Sequence, residues 1–268
     1  MVYTKGAMPP KTDLRDYKYI PVAMAAEEAV IPSAFELEVG EVKNQGAIGS
    51  CVAHVAAEIE EYFNKKETHM TIPLSPGYVY GRRYEYKGEG MYLRDALKTL
   101  RNYGVCYNDE FPYNEEVPLI LDKFNAVKEW KTDKYHQISS YFSIDVNDAN
   151  AIKQALLNFG PVMGSVKWYR DIKVNDGIIE SRQDCSFGYH CIMIYGYNEQ
   201  GWLIQNSWGS KWGNGGRAIY PYELGLTEAW GISDTTTYNP DVKEKKLNPL
   251  MDFILKLLSA LINLIKKS

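Results

Sequence analysis

Between Val52 and Tyr62 the apolar positions of VAHVAAEIEEY recur three and four residues apart among good helix formers, and the pattern predicts a helix. Asn64 to Thr71 reads as a polar break. Ser75 and Pro76 then open a helical patch through Tyr86, with Ser75 as cap and Pro76 at the first helical position. Leu93 to Tyr103 is amphipathic and stops at Gly104, a good helix end. Beyond residue 130 the period shortens. Tyr135 to Ile144 alternates as strands do, Asn147 to Phe159 reads as a helix stopped by Gly160 and Pro161, and Val162 to Trp168 is extended again. His190–Tyr197, Gly201–Asn206 and Gly216–Tyr222 complete a β-rich half. The expectation is an α+β domain over 1–240, with a helical lobe mainly in 45–130, a β-rich lobe mainly in 131–235, and a cleft between them.

The tail has a different pattern. Asp241 to Lys246 is a charged connector, and Asn248-Pro249 starts a predicted amphipathic helix, so 241–268 stands as a separate segment. Asp252, Lys256, Ser259, Asn263 and Lys266 make one narrow polar stripe on a run otherwise apolar. Leu250 to Ile265 spans about 24 Å at ~1.5 Å per residue, short of the ~30 Å hydrocarbon core. Docking on the domain, self-association and a membrane surface are the three occupants this face suits. At the other end, Met1 to Lys11 is polar and lacks the apolar core of a secretory signal.

With 45% hydrophobic and 24% charged residues, 268 residues can bury a substantial core. A net charge of −4 without long runs argues against nucleic acid as a partner. The four cysteines, Cys51, Cys106, Cys185 and Cys191, show no tight framework spacing. With Cys51 set aside three remain, which argues against a disulfide-built secreted domain and favours a reduced, cytoplasmic setting. No phosphate-binding glycine loop, zinc-ligand spacing or internal repeat is visible, so no metal and no cofactor is expected.

The chemistry centres on Gln45-Gly-Ala-Ile-Gly-Ser-Cys51. This glycine-punctuated turn delivers a cysteine to a helix start, where unpaired N–H groups and the macrodipole favour a thiolate. A buried cysteine acting as a small hydrophobe is the plainer reading of the turn alone. A thiolate enzyme needs a base and something to hold it. His190 stands at the mouth of an apolar strand, and Asn206 at a strand end beside Trp208. The Asn206 amide can accept from one ring nitrogen of His190 and leave the other to Cys51, with Trp208 shielding that bond. These residues follow Cys51 by 139 and 155 positions, so only tertiary structure unites them. His54, one turn from Cys51, reads as a packed neighbour, Trp212 as a core aromatic, and His69 and His136 as surface residues.

VKNQGAIGSC, HCIMIYGY and LIQNSWGSKWGNGG together resemble the papain family of cysteine peptidases, most of all bacterial or phage members lacking a long propeptide. The resemblance covers about residues 10 to 240. It implies a papain-like two-lobed fold and hydrolysis of peptide bonds through a thioester. It also implies Cys51 as nucleophile, His190 as acid and base, Asn206 as its orienter and Gln45 as oxyanion donor with the Cys51 N–H. Gly88 and Gly90 resemble the glycine-bearing wall of the substrate cleft, and Tyr189 and Trp208 join them as substrate-binding residues. The partner implied is a peptide or protein substrate. Two departures bear on the local shape: Ile48 stands where the family usually has a cysteine, and Val52 where an aromatic commonly follows the nucleophile. The same apparatus also suits another amide or a cell-wall crosslink, and a binding protein or membrane-active effector acting through its tail is the competing class. Only 44 residues precede Gln45, with Pro21 to Leu37 read as a connector in preference to an excursion over the cleft, so the expectation is a cleft open without processing and a Cys51 of unusually low pKa.

Overall fold

Cys51 itself begins the first helix, α1 (Cys51–Thr68), in a computed structural model that describes residues 4–11, 13, 16–20, 31–83, 89–113 and 136–234. The chain divides at 237/238, and all the described residues belong to Met1–Thr237. Gly88, the end of the patch at 84–86, residues 114–135 and the 241–268 tail lie outside the described residues. α1 runs through the expected polar break: Lys65, Lys66 and Glu67 are good helix formers, and the two lysines suit the negative end of the dipole. It ends at His69, in the left-handed region at φ 60°, whose N–H reaches the Lys65 carbonyl.

α2 (Pro76–Gly81) is capped as expected, the Ser75 side chain accepting from the Tyr78 N–H. α3 (Leu93–Asn102) ends at Gly104, where φ of 70° lets the N–H reach the carbonyls of Thr99 and Leu100. In α4 (Ala149–Asn158) the cap is Asp148, which accepts from the Ala151 N–H. The first three helices and the neighbouring sheet face bury one core, which includes Val55, Ile59, Leu97, Met163, Met193 and Trp230.

The described strands are β1 (Phe35–Glu36), β2 (Ser140–Ser143), β3 (Val162–Tyr169), β4 (Lys173–Asn175), β5 (Ile178–Glu180), β6 (Phe187–Tyr197), β7 (Gly201–Gln205), β8 (Arg217–Pro221) and β9 (Glu228–Ser233). They form one sheet in the order β2-β9-β3-β6-β7-β8-β5-β4, with β1 added to β6. All pairings are antiparallel except β5 with β8. Long, apolar β6 is the partition. Its odd residues Cys191 and Met193 face the core under α1, while His190, Ile192 and Ile194 face a second core with Val166, Trp168, Ile204 and Trp208. The two lobes of the expected α+β architecture meet along this strand.

His136 departs from its expected surface position. Only 6% exposed, it pairs with Val105 through two backbone hydrogen bonds and packs on Tyr107. The connector reading of 21–37 also changes, since Phe35 and Glu36 form β1; residues 21–30 lie outside the described residues.

Candidate active site

The turn before α1 is tied to both lobes. Gln45 is fully buried; its N–H donates to the Ser207 carbonyl at 2.8 Å and its carbonyl accepts from the Tyr113 hydroxyl at 2.8 Å. Its side-chain oxygen accepts from Ser207 Oγ at 2.6 Å, while Nε2 donates to the carbonyls of Ile48 at 2.7 Å and Thr4 at 3.1 Å. The side chain is therefore fixed at both ends, with its N–H₂ group turned toward the cleft.

Opposite stands the imidazole. His190 lies on β6 and Asn206 just past β7, the adjacent strand, so the ladder brings two residues sixteen positions apart into contact. His190 Nε2 donates to Asn206 Oδ1 at 2.8 Å, which also accepts the Ser207 N–H at 2.8 Å. Among the described residues, His190 Nδ1 finds no hydrogen-bond partner. That nitrogen is the one left for a thiol. Trp208 stacks on the ring with centroids 4.5 Å apart, and Trp168 meets it edge to face at 5.0 Å. The sequence points to Trp208, whereas Trp168, near the end of β3, reads there only as strand. Trp212 packs in the same core.

The Cys51 thiol is buried against the next residue of the same strand, accepting the Cys191 N–H at 3.4 Å. Gly6 packs close by, against Gly49 two residues before the cysteine. That contact belongs to an N-terminal strap. Thr4 gives its carbonyl to Gln45 Nε2 and to the Trp208 indole N–H at 3.2 Å. The Gly6 carbonyl accepts from the Met91 N–H at 2.9 Å, the Ala7 N–H donates to the Tyr189 carbonyl at 3.3 Å, and the Met8 N–H to the Met91 carbonyl at 3.0 Å. Gly90 packs against Gly6 and Met8. Beyond the cleft Arg94 grips the strap through the Lys11 carbonyl, Asp13 and Asp16. Gly90, Tyr189 and Trp208, the described residues expected to bind substrate, thus all touch this segment.

The open cleft expected from the sequence is not what the structure holds. The fit is close: a Cβ on Gly6 would overlap the Gly49 carbonyl. The strap's cover also overturns the expected acidity. Burial pushes the Cys51 thiol up to about 11, against the N–H groups of Cys191, Gly6 and Val52, and pushes His190 down to about 4. In the strapped form both groups are neutral at mid pH.

The buried cysteine at a helix start, set against the strand that carries a histidine held by an asparagine, agrees with a family model described as papain family cysteine protease, which matches residues 32–235. The chain belongs to the papain family. It is 31% identical to cathepsin K of Mus musculus over 196 residues, covering 66% of this chain and 55% of that protein. It is 27% identical to a cysteine protease of Blomia tropicalis, with 74% and 61% covered. The chain thus spans little more than half the length of these curated relatives. Among solved papain-family folds it is similar to xylellain, a cysteine protease from Xylella fastidiosa, at TM-score 0.70 and 22% identity, over 87% of this chain and 96% of that one. A Carica candamarcensis cysteine protease in complex with E-64 matches at TM-score 0.61 and 21% identity, covering 76% and 100%.

Proposed function

We propose that this papain-family chain hydrolyses peptide bonds through a thioester on Cys51. The observation that carries the reading is the His190–Asn206 hydrogen bond at 2.8 Å, which leaves Nδ1 without a partner on the strand that also holds Cys51. Asn206 fixes the Nε2–H tautomer, so Nδ1 is free to take the Cys51 proton. The thiolate attacks the peptide carbonyl carbon, and the oxygen gathers charge. One N–H of Gln45 Nε2, now given to Thr4, and the backbone N–H of Cys51 receive that charge. Protonated Nδ1 then gives its proton to the amine as the C–N bond breaks. Water, deprotonated by the same nitrogen, cleaves the thioester and regenerates the thiol.

None of this runs while the strap lies over the sulfur, so hydrolysis requires residues 4–8 to leave. Gly6→Val supplies that condition without shortening the chain, since its side chain collides with Gly49. Gly6→Val is expected to hydrolyse a fluorogenic peptide and to alkylate at Cys51 much faster than the native chain, and Gly6→Val with Cys51→Ala to do neither. Hydrolysis surviving Cys51→Ala would overturn the assignment.

A further inference from the structure

We propose that Trp168 is a positioning residue for His190, its indole fixing the plane of the imidazole and keeping water from the bond to Asn206. The inference rests on the peptidase reading, but its central test does not require peptide hydrolysis.

The register of β3 on β6 places it. Val166 lies opposite His190 and Trp168 opposite Gly188, so Trp168 is the diagonal neighbour of His190 on the same sheet face. Such neighbours are about 7–8 Å apart at the backbone, a gap that an aromatic side chain can cross. Gly188 offers no side chain between them. The indole crosses and meets the imidazole at 5.0 Å between centroids, the planes 76° apart.

Trp208 supplies a second plane. It stacks on the imidazole at 4.5 Å and 25°, and meets Trp168 at 5.0 Å and 80°. Two indoles set nearly at right angles make a corner, and the imidazole sits in it. One hydrogen bond to Asn206 still lets a ring swing about that bond. A corner of two planes does not, and Nδ1 is thereby aimed. Trp168 is 5% exposed, so this corner is also closed to water. Simple core filling is the competing account, and Trp212 serves as its control: it packs on Trp168 at 5.9 Å and Trp208 at 5.7 Å as another indole of the same cluster.

The test follows the His190 ring by nitrogen NMR in the full-length chain, its signal assigned by loss in His190→Ala. In the native protein the proton should stay on Nε2 and titration should be held to acid pH by burial. Trp168→Ala should mix the two tautomers and raise the titration by about one unit or more, because water now reaches the charged form. Trp168→Phe should restore the native signal, and Trp212→Ala should leave it unchanged. In the Gly6→Val background Trp168→Ala should also lower kcat about tenfold with KM unchanged, as loss of base alignment does. A native tautomer and titration in Trp168→Ala would overturn the proposal, as would an equal change in Trp212→Ala. If Trp168→Ala does not fold, Trp168→Leu carries the same expectations with more of the volume retained. Absence of hydrolysis in Gly6→Val with Trp168 intact would count against the peptidase reading, while the NMR result would still judge Trp168.

Discussion

Cys51 and Gln45 on the helical wall of the cleft are held by buried polar groups, whereas His190 and Asn206 on the sheet wall are held by a strand ladder and indoles. Along α1, Ser50, His54, Glu58 and Glu61 stand four, four and three apart on one stripe facing the segment that leads to Gln45. Glu58 accepts the Lys43 N–H at 3.0 Å, and Glu61 pairs with the Lys43 ammonium at 2.7 Å and accepts the Leu74 N–H at 2.6 Å. Tyr113 bridges the carbonyl of Gln45 and the hydroxyl of Ser50 at 2.8 and 2.7 Å. Burial pushes Glu58 up to about 8 and His54 down to about 4. The difference teaches where fragility lies: the helical wall depends on a chain of buried polar contacts, the sheet wall on one hydrogen bond and the aromatic volume around it.

The sharpest way to break the contrast is Gln45→Ala. In the Gly6→Val background it should lower kcat by ~10²–10³ with little change in KM, as removal of a donor to the developing oxyanion does. Steady-state kinetics on one peptide decides it. An unchanged kcat would hand the oxyanion to the sheet wall, where the Trp208 indole N–H already shares the Thr4 carbonyl with Gln45.

Glu58→Gln has the next largest effect, on stability. A folded-state value of about 8 against an ordinary carboxyl value of 4.5 means that the folded chain binds the proton more tightly. The cost of this glutamate is therefore absent below pH ~4.5, grows as the pH rises, and is complete above pH ~8. Glu58→Gln should match the native chain near pH 4.5 in urea unfolding and exceed it at pH 8 by an amount on the order of a few kcal/mol. A difference independent of pH would show that Glu58 is not held neutral.

Tyr113→Phe should do least. Losing the hydroxyl from Gln45 and Ser50 should cost about 1 kcal/mol of stability and shift kcat only a few-fold, since Ser207 still grips the Gln45 side chain. A loss as large as that of Gln45→Ala would make Tyr113 the true keystone of the helical wall.

Much of this contrast could be read from residue order, and the rest could not for identifiable reasons. The Ser75 cap, the Gly104 stop and the strand that ends in Tyr197 announce themselves through turn chemistry and period. The β4–β5 hairpin carries its signal in two residues: Asp176-Gly177, both at positive φ, form the turn that asparagine-glycine and aspartate-glycine pairs favour. His136 misled because its sequence neighbours are polar, while its burial comes from Val105 and Tyr107 far upstream. Trp168 could not be singled out, because its contact with His190 depends on the register between two strands. The strap was least legible. Thr4 to Met8 engages the cleft mainly through main-chain groups that every sequence possesses, and its side-chain marks, Gly6 fitted against Gly49, Thr4 on the Gly46 carbonyl and Ala7 in the core, are too small to stand out in a sequence.

That strap is a ligand tied to its own receptor. Its local concentration is set by the intervening chain and not by how much protein is present, and short tethers hold such ligands at millimolar levels. Dilution, which frees a protein from a bound product, leaves this occupant in place. Any substrate or inhibitor meeting the native chain competes with a fixed internal rival, so its measured affinity is weakened by the same factor at every protein concentration. Changes that loosen the grip of Arg94 on Asp13 and Asp16 would strengthen the binding of all such ligands together, whatever their sequence.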